Sequence, residues 1–456
     1  MTDDPLHSYA QQNRDRFLKE LEEYLSIPSI STDEEMSHEV DRCANWLADH
    51  LREIGIDKTA VYETDGHPIV YAEHCHAPEK PTVLVYAHYD VQPPDPLDEW
   101  DSPPFEPTIR DEKIFARGAT DDKGQFFAHV KGLETHLAVN DELPVNVKLL
   151  VEGEEEVGSV HLGDWVDEHA DMLDCDAVVI SDSAMFDRGL PTITYGLRGL
   201  AYFELTVRGP SHDLHSGLYG GAVPNPINEL ASLIDQLHDD DGSIAIPGFY
   251  EEVEELTDEE RAAFADLPFD EEEFRAETGA PGLTGEEGYS TLERRWSRPT
   301  LDCNGIWGGY TKPGAKTVLP SKAHAKISCR LVPDQDPDAI AELAEDYLDE
   351  IAPDYIEVSF EKHHGGYPVV SDRDNATVRA ACDALERSWG KAAVFTRGGG
   401  TIPVVSTFSR ILGVPTVLMG FGLNDDRLHS PNEKFDLENY YHGIETSTYL
   451  WDELAG

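Results

Sequence analysis

The chain has 456 residues, with 90 acidic side chains against 35 basic ones and a formal charge of −55. Its 40% hydrophobic and 9% aromatic residues supply a core and exclude global disorder. No apolar run approaches the ~18–20 residues of a membrane span, and the acidity argues against nucleic acid or an anionic membrane as partner, since both call for positive charge. Length allows two or three domains at about 150 residues each. The six cysteines (Cys43, Cys75, Cys175, Cys303, Cys329, Cys382) include no CxxC pair, so neither a disulfide framework nor a zinc finger is expected. Met1–Pro5 lack the basic start and apolar stretch of a signal peptide, which makes the cytoplasm the expected compartment. Acids are spread throughout, and lysine (14) is scarcer than arginine (21). We read this as a solvated, halophilic surface: at molar salt the Debye length is only ~3 Å and self-repulsion is screened.

In chain order, Ser8–Leu25 reads as a helix. A second spans roughly Glu35–Ile54, where Val40, Ala44, Leu47, Leu51 and Ile54 recur at helical spacing before Gly55. Apolar runs at Thr82–Tyr86, Val145–Val151 and Ala177–Ile180 read as buried strands of an α/β sheet. From about Gly199 the pattern changes. Ala201–Arg208 and Ala323–Val332 alternate like half-exposed strands, with a helix at Pro226–Leu237 between them. Glu251–Thr278 carries 13 acids in 28 residues and reads as a solvated helical insert. Near Asp372 the helix-then-strand rhythm returns. The expected architecture is therefore α/β: a larger domain (1–198 and 373–456) with a smaller domain inserted in it (199–372).

Polar motifs follow the apolar strands, where sites in open α/β sheets lie. They are His88-Tyr89-Asp90, Gly118 to Gly124 with Asp121-Asp122, Glu152 to Ser159 with Glu154-Glu155-Glu156, Ser181-Asp182-Ser183, and Leu428-His429 through Glu433. Taken singly each has a bland reading: a surface pair, a helix cap, a solvated acidic run. Together they assemble two imidazoles and three carboxylates without a thiolate, a donor set that suits a pair of divalent transition ions. A spare carboxylate beside the ligands could serve as base for a metal-activated water. His74-Cys75-His76 has metal-type residues at crowded spacing and reads as a surface turn. Arg397 to Thr401 is a glycine loop without the GK[ST] ending of a phosphate loop, and fits a backbone nest for a substrate carboxylate better.

As a set, these motifs resemble the dinuclear M20-type metallopeptidases, the family of carboxypeptidase G2, aminoacylase-1 and succinyl-diaminopimelate desuccinylase. The resemblance is strongest to the cytosolic non-specific dipeptidase and carnosinase branch, and it covers nearly the whole chain. It implies two divalent metal ions, zinc first, with manganese or cobalt as alternatives. His88, Asp121 and Asp182 would hold one ion; Asp121, Glu156 and His429 would hold the other. Glu155 would be the general base, and Asp90 would hydrogen-bond His88 and fix its tautomer. The Asp121–Asp122 peptide would be cis. His215, in Asp213 to Gly217, would reach the site of a second subunit and stabilise the oxyanion. Arg330, Thr317, Gly400 and Thr401 would bind substrate, Arg330 as a fork on a free carboxylate. The larger domain would be a mixed-sheet catalytic domain, and the inserted smaller α+β domain would act as lid and homodimer interface. Glu154 falls where relatives carry an apolar residue; it has no implied role, and a third acid there could alter the proton balance at the metals.

The implied activity is a metal-dependent exopeptidase, a dipeptidase or carboxypeptidase that cleaves small peptides by attack of metal-activated water. The same metal core would also suit an N-acyl amino-acid amidohydrolase, because both substrates are amides. A non-catalytic metal-binding interaction protein is a third reading, opposed by the intact Glu155.

Overall fold

A computed structural model describes residues 4–456. The chain separates into two units: one comprises residues 1–195, 371–396 and 403–456, the other 196–370 and 397–402. The glycine loop at 397–402 thus groups with the second unit, not with the helices and strands around it in sequence.

The first unit is built on a mixed sheet. From its edge, Lys58–Tyr62 pairs antiparallel with Ile69–His74, which pairs antiparallel with Asn146–Glu152. Next come Thr82–His88, Ala177–Ile180 and Thr416–Leu418, each parallel to its neighbour, and then Thr192–Leu197, antiparallel to the last. The central strands are buried on both faces, which is why they read as unbroken apolar runs. Helices Lys123–Asn140 and Leu437–Ala455 pack together over the core, and Ala376–Trp389 joins them. At the chain's start, two helices, Pro5–Gln12 and Arg14–Leu25, replace the single one expected. The break falls at Asn13, whose side chain turns back to the Tyr9 carbonyl (2.9 Å), a local bond that competes with helix continuation.

The second unit holds a four-stranded antiparallel sheet in the order Thr300–Gly308, Lys322–Leu331, Gly199–Arg208, Glu357–Gly366. Ala201, Phe203, Leu205 and Val207 alternate onto one face and pack with Leu230 and Leu233 of the Pro226–Asp235 helix and Ile340, Ala344 and Leu348 of the Pro337–Ile351 helix. The acidic insert forms two short helices, Asp258–Ala265 and Glu271–Thr278, capped by Thr257 and Asp270. Among the described residues, no helix is long and apolar enough to cross a membrane.

Candidate metal centre

Four parallel strands of the first unit end on the same side of the sheet, and their polar continuations converge there. His88 is the last residue of its strand, Glu155 and Glu156 lie just past Glu152, Asp182 lies just past Ile180, and His429 lies beyond Leu418. Asp121 enters from the turn that opens the Lys123–Asn140 helix. Gly124 in that helix packs so tightly that a Cβ there would stand 1.9 Å from the Ala119 carbonyl oxygen, so only glycine lets the turn close. The Asp121–Asp122 peptide is cis. His429 adopts a left-handed backbone (φ 57°), a conformation uncommon outside glycine and often found at functional positions.

Two groups of potential ligand atoms result, each within 4.8 Å: His88, Asp121 and Asp182, and Asp121, Glu156 and His429. Asp121 belongs to both. Its Oδ1 lies 3.1 Å from His88 Nε2 and its Oδ2 lies 2.9 Å from His429 Nε2. Asp182 Oδ2 stands 3.9 Å from His88 Nε2, and Glu156 Oε2 stands 3.3 Å from His429 Nε2.

The electrostatics favour a cation. Burial pushes Asp182 up to about 7 and Glu156 up to about 8, and the charge of Asp121 adds to both. Burial likewise raises Glu155. At Asp121 burial works in the same direction, but hydrogen bonds from His429 and His88 outweigh it and hold the carboxyl below its ordinary value. The bond to Asp121 lifts His429 to about 9. At His88 burial opposes the imidazolium, yet Asp121 and Asp90 prevail and raise it. Several buried acids with two imidazoles and no thiol form a donor set that fits hard-to-borderline divalent ions.

The supports of this centre are visible in the structure and only partly in the sequence. Asp90 is fully buried; its Oδ1 accepts the Glu155 N–H (3.2 Å) and its Oδ2 the Glu156 N–H (3.1 Å). The His88 Nδ1 bond runs to the Asp90 backbone carbonyl (3.1 Å), with the carboxylate 3.4 Å away. Asp90 thus fixes the loop carrying Glu155 and Glu156 as well as the imidazole. Glu433 accepts the backbone N–H groups of Gly118, Thr120 and Asp121 at 3.0–3.2 Å and pairs with the buried Arg117 at 2.6 Å. Gln92 Nε2 donates to Glu156 Oε2 (2.8 Å). Gln92, Arg117 and the part played by Glu433 were not anticipated. Glu154 stands outside both ligand groups, and its carboxylate meets His161 Nδ1 at 2.8 Å.

In the second unit the other expected site residues form two sets. His215 and Thr317 come together because Leu214–His215 pairs with Val318–Leu319, and the Ser216 N–H donates to the Thr317 carbonyl (3.1 Å). The Gly217 N–H donates to His215 Nδ1 (3.0 Å), which leaves Nε2 as the protonated nitrogen of the neutral ring. Arg330 Nη1 donates to Thr401 Oγ1 (3.0 Å), whose hydroxyl donates to the Arg198 carbonyl (2.6 Å). Gly400, beside Thr401, is exposed. Arg198 was missed; its Nε donates to the Gly399 carbonyl (3.0 Å), while its buried Nη1 has no hydrogen-bond partner. Burial, and then the nearby charge of Arg330, lower it to about 10.

Residues 84–453 match the model of peptidase family M20/M25/M40. The chain belongs to this family. It is 36% identical to a Cys-Gly metallodipeptidase of Candida albicans, over 97% of this chain and 95% of that protein. It is 33% identical to the Beta-Ala-His dipeptidase of Homo sapiens, over 98% of this chain and 92% of that protein. Among solved structures, an M20 family metallo-carboxypeptidase from Sulfolobus solfataricus superposes with a TM-score of 0.85 at 36% identity, covering 96% of this chain and 99% of that one. Human carnosine dipeptidase 1 gives 0.82 at 32% identity, covering 99% and 98%. As a member of this family the chain is a metal-dependent hydrolase, and the two groups around Asp121 are among those that could hold a divalent ion.

Proposed function

We propose that the chain is a metal-dependent dipeptidase whose centre is the paired groups around Asp121. The observation that carries this reading is the sharing of one carboxylate between two imidazole–carboxylate groups, with Glu155 directly beside them. His88, Asp121 and Asp182 would hold one divalent ion, and Asp121, Glu156 and His429 would hold the other. Such a pair would supply acidification of a water and polarisation of the scissile carbonyl. Glu155 takes the proton from the attacking water and returns it to the leaving amine. Its burial supports that role, because burial raises the carboxyl above its ordinary value and makes it a stronger base. Arg330, with Thr401 and the Gly400 backbone, holds the free carboxylate of the peptide, and Thr317 completes the substrate contacts.

The finer parts of the proposal rest on separate observations. We take zinc as the resident metal, with manganese or cobalt able to replace it. The protein works as a cytoplasmic homodimer: the edge strand Thr300–Gly308 exposes Ile306 and Trp307, which a second inserted domain would cover. Across that dimer His215 donates its Nε2–H to the oxyanion forming in the partner site. The acidic surface is a halophilic adaptation, so melting temperature should climb with added KCl.

The decisive experiment removes metal with a chelator and restores zinc, manganese or cobalt in high salt. Dipeptides are then compared with N-acetyl and N-succinyl amino acids. Metal-dependent cleavage of dipeptides alone is expected; turnover confined to the N-acyl compounds would refute the assignment. For His215, a His215→Ala protein is mixed with a Glu155→Gln protein under conditions that exchange subunits. Recovered activity is expected, because one mixed site has both groups; a mixture that stays inactive after proven exchange rejects the shared site.

A further inference from the structure

Away from the groups around Asp121, three metal-type side chains meet at the edge of the large sheet. Asp57 immediately precedes the Lys58–Tyr62 strand, and the Lys58–Glu73 register sets it across from His74, the last residue of the neighbouring strand. His76 lies two residues further on, past the end of the strand, and its Nε2 turns back onto the Asp57 carboxylate. Cys75, between them, directs its sulfur toward the Val147 carbonyl (3.9 Å), so no thiol enters the group. One carboxylate oxygen and two ring nitrogens lie within 4.8 Å of one another. The motif that reads from sequence as a surface turn is therefore an organised cluster, because the carboxylate completing it comes from a different strand.

The state of His74 makes the cluster more than an ion pair. His74 is 7% exposed, and its Nδ1 is a buried polar atom without a hydrogen-bond partner. It lies 2.9 Å from Asp57 Oδ2, at ion-pair distance but without hydrogen-bond geometry, while His76 Nε2 contacts the same oxygen. The two rings stand edge to face, 4.5 Å between centroids. A buried ring nitrogen left without a hydrogen bond is unfavourable. A cation lying among the three atoms satisfies both nitrogens and the carboxylate at once. The group borders a cleft of about 660 Å³ whose walls include Glu53, Asp141 and Glu142, which supplies negative potential and room for water.

We propose that Asp57, His74 and His76 form a peripheral cation site, separate from the catalytic centre, that takes a borderline divalent transition metal such as zinc. Two imidazoles, one carboxylate and a water make a tetrahedral set suited to that class of ion, and the absence of thiolate leaves soft monovalent copper without a preferred ligand. The ion clips the chain entering the first edge strand to the end of the second, so its effect is on the stability of that hairpin and not on turnover.

The test uses the intact enzyme in equilibrium dialysis against micromolar zinc chloride, comparing the wild type with His76→Ala and Asp57→Asn. Both substitutions fall at exposed positions and leave the groups around Asp121 untouched. The wild type should hold one more zinc per chain than either variant, with equal dipeptide turnover in all three. Added zinc should also raise the melting temperature of the wild type further than that of the variants. Equal zinc counts in the three proteins overturn the site. So does a variant that loses zinc only together with turnover, because that loss belongs to the catalytic ions.

Discussion

Asp90 offers the sharpest test of how the metal centre is held. Its two carboxylate oxygens accept the N–H groups of Glu155 and Glu156, and it sits behind His88, so one buried side chain steadies three members of the centre. Asp90→Asn keeps the shape but turns one accepting oxygen into a donor, which must then face one of those N–H groups. A buried N–H stripped of its acceptor costs about 1–3 kcal/mol. Felt entirely in ligand placement, that is a loss of roughly 5–150-fold in metal affinity, in line with the 10–100-fold typical when a partner behind a metal ligand is removed. Asp90→Ala deletes both bonds to a charged acceptor, about 1.5–3 kcal/mol each, and should cost more than the amide. Zinc affinity is measured by competition with a chromophoric chelator, and stability by melting the metal-free proteins. The expected order is wild type, Asn, Ala in both measurements. If both variants bind zinc within twofold of the wild type, Asp90 does not organise the centre.

Three further outcomes are expected. Glu155→Gln should retain its full metal content yet lose roughly 10²–10⁴-fold in turnover, as removal of a general base does; near-normal kcat would remove Glu155 from that role. Glu152, raised to about 8 chiefly by burial, accepts from Tyr86 and Ser159 on one oxygen and leaves the other unpartnered. Because its folded value lies above its unfolded one, its contribution to stability is full at pH 4 and declines as pH climbs toward and through 8. Glu152→Gln should therefore gain on the wild type in melts of the metal-free protein as pH rises from 5 to about 8.5, and a difference that does not change with pH contradicts this. Arg330→Lys keeps the charge but not the fork, so kcat/KM for dipeptides should fall roughly 10–100-fold while C-terminally amidated dipeptides are affected far less; equal losses on both substrates would remove Arg330 from carboxylate recognition.

What the sequence disclosed about the centre follows from its local grammar. His88, Asp182 and Glu155-Glu156 each sit just past a short apolar run, and a strand buried on both faces must be such a run, so strand ends and polar ends coincide in one dimension. The helices of the acidic insert were foreseeable for the same reason, since charge and caps are local. The break at Asn13 depends on one side-chain bond that competes with a helical pattern, and periodicity alone does not register it. The place of the 397–402 loop depends on contacts of Arg198 and Arg330 with Gly399 and Thr401, residues far apart in the chain.

The least legible part is the support beneath the ligands, and the physics explains why. Glu433 binds the Thr120 N–H from 313 residues away, and what it recognises is backbone, which has no sequence signature. Arg117 faces it in a site where each is almost fully shielded from water. Removing one partner of such a pair typically costs about 3–5 kcal/mol because the other charge is left buried alone. A carboxylate whose charge is spent on three amides and a guanidinium is unavailable to a metal, which is why Glu433 can stand so near Asp121 without joining either ligand group. In a chain with 90 acidic residues the distinction between ligand and scaffold therefore lies in what already occupies each carboxylate. Glu154 obeys the same rule: His161 occupies it, and the metal centre keeps the acids that have only imidazoles, an amide and one another for company.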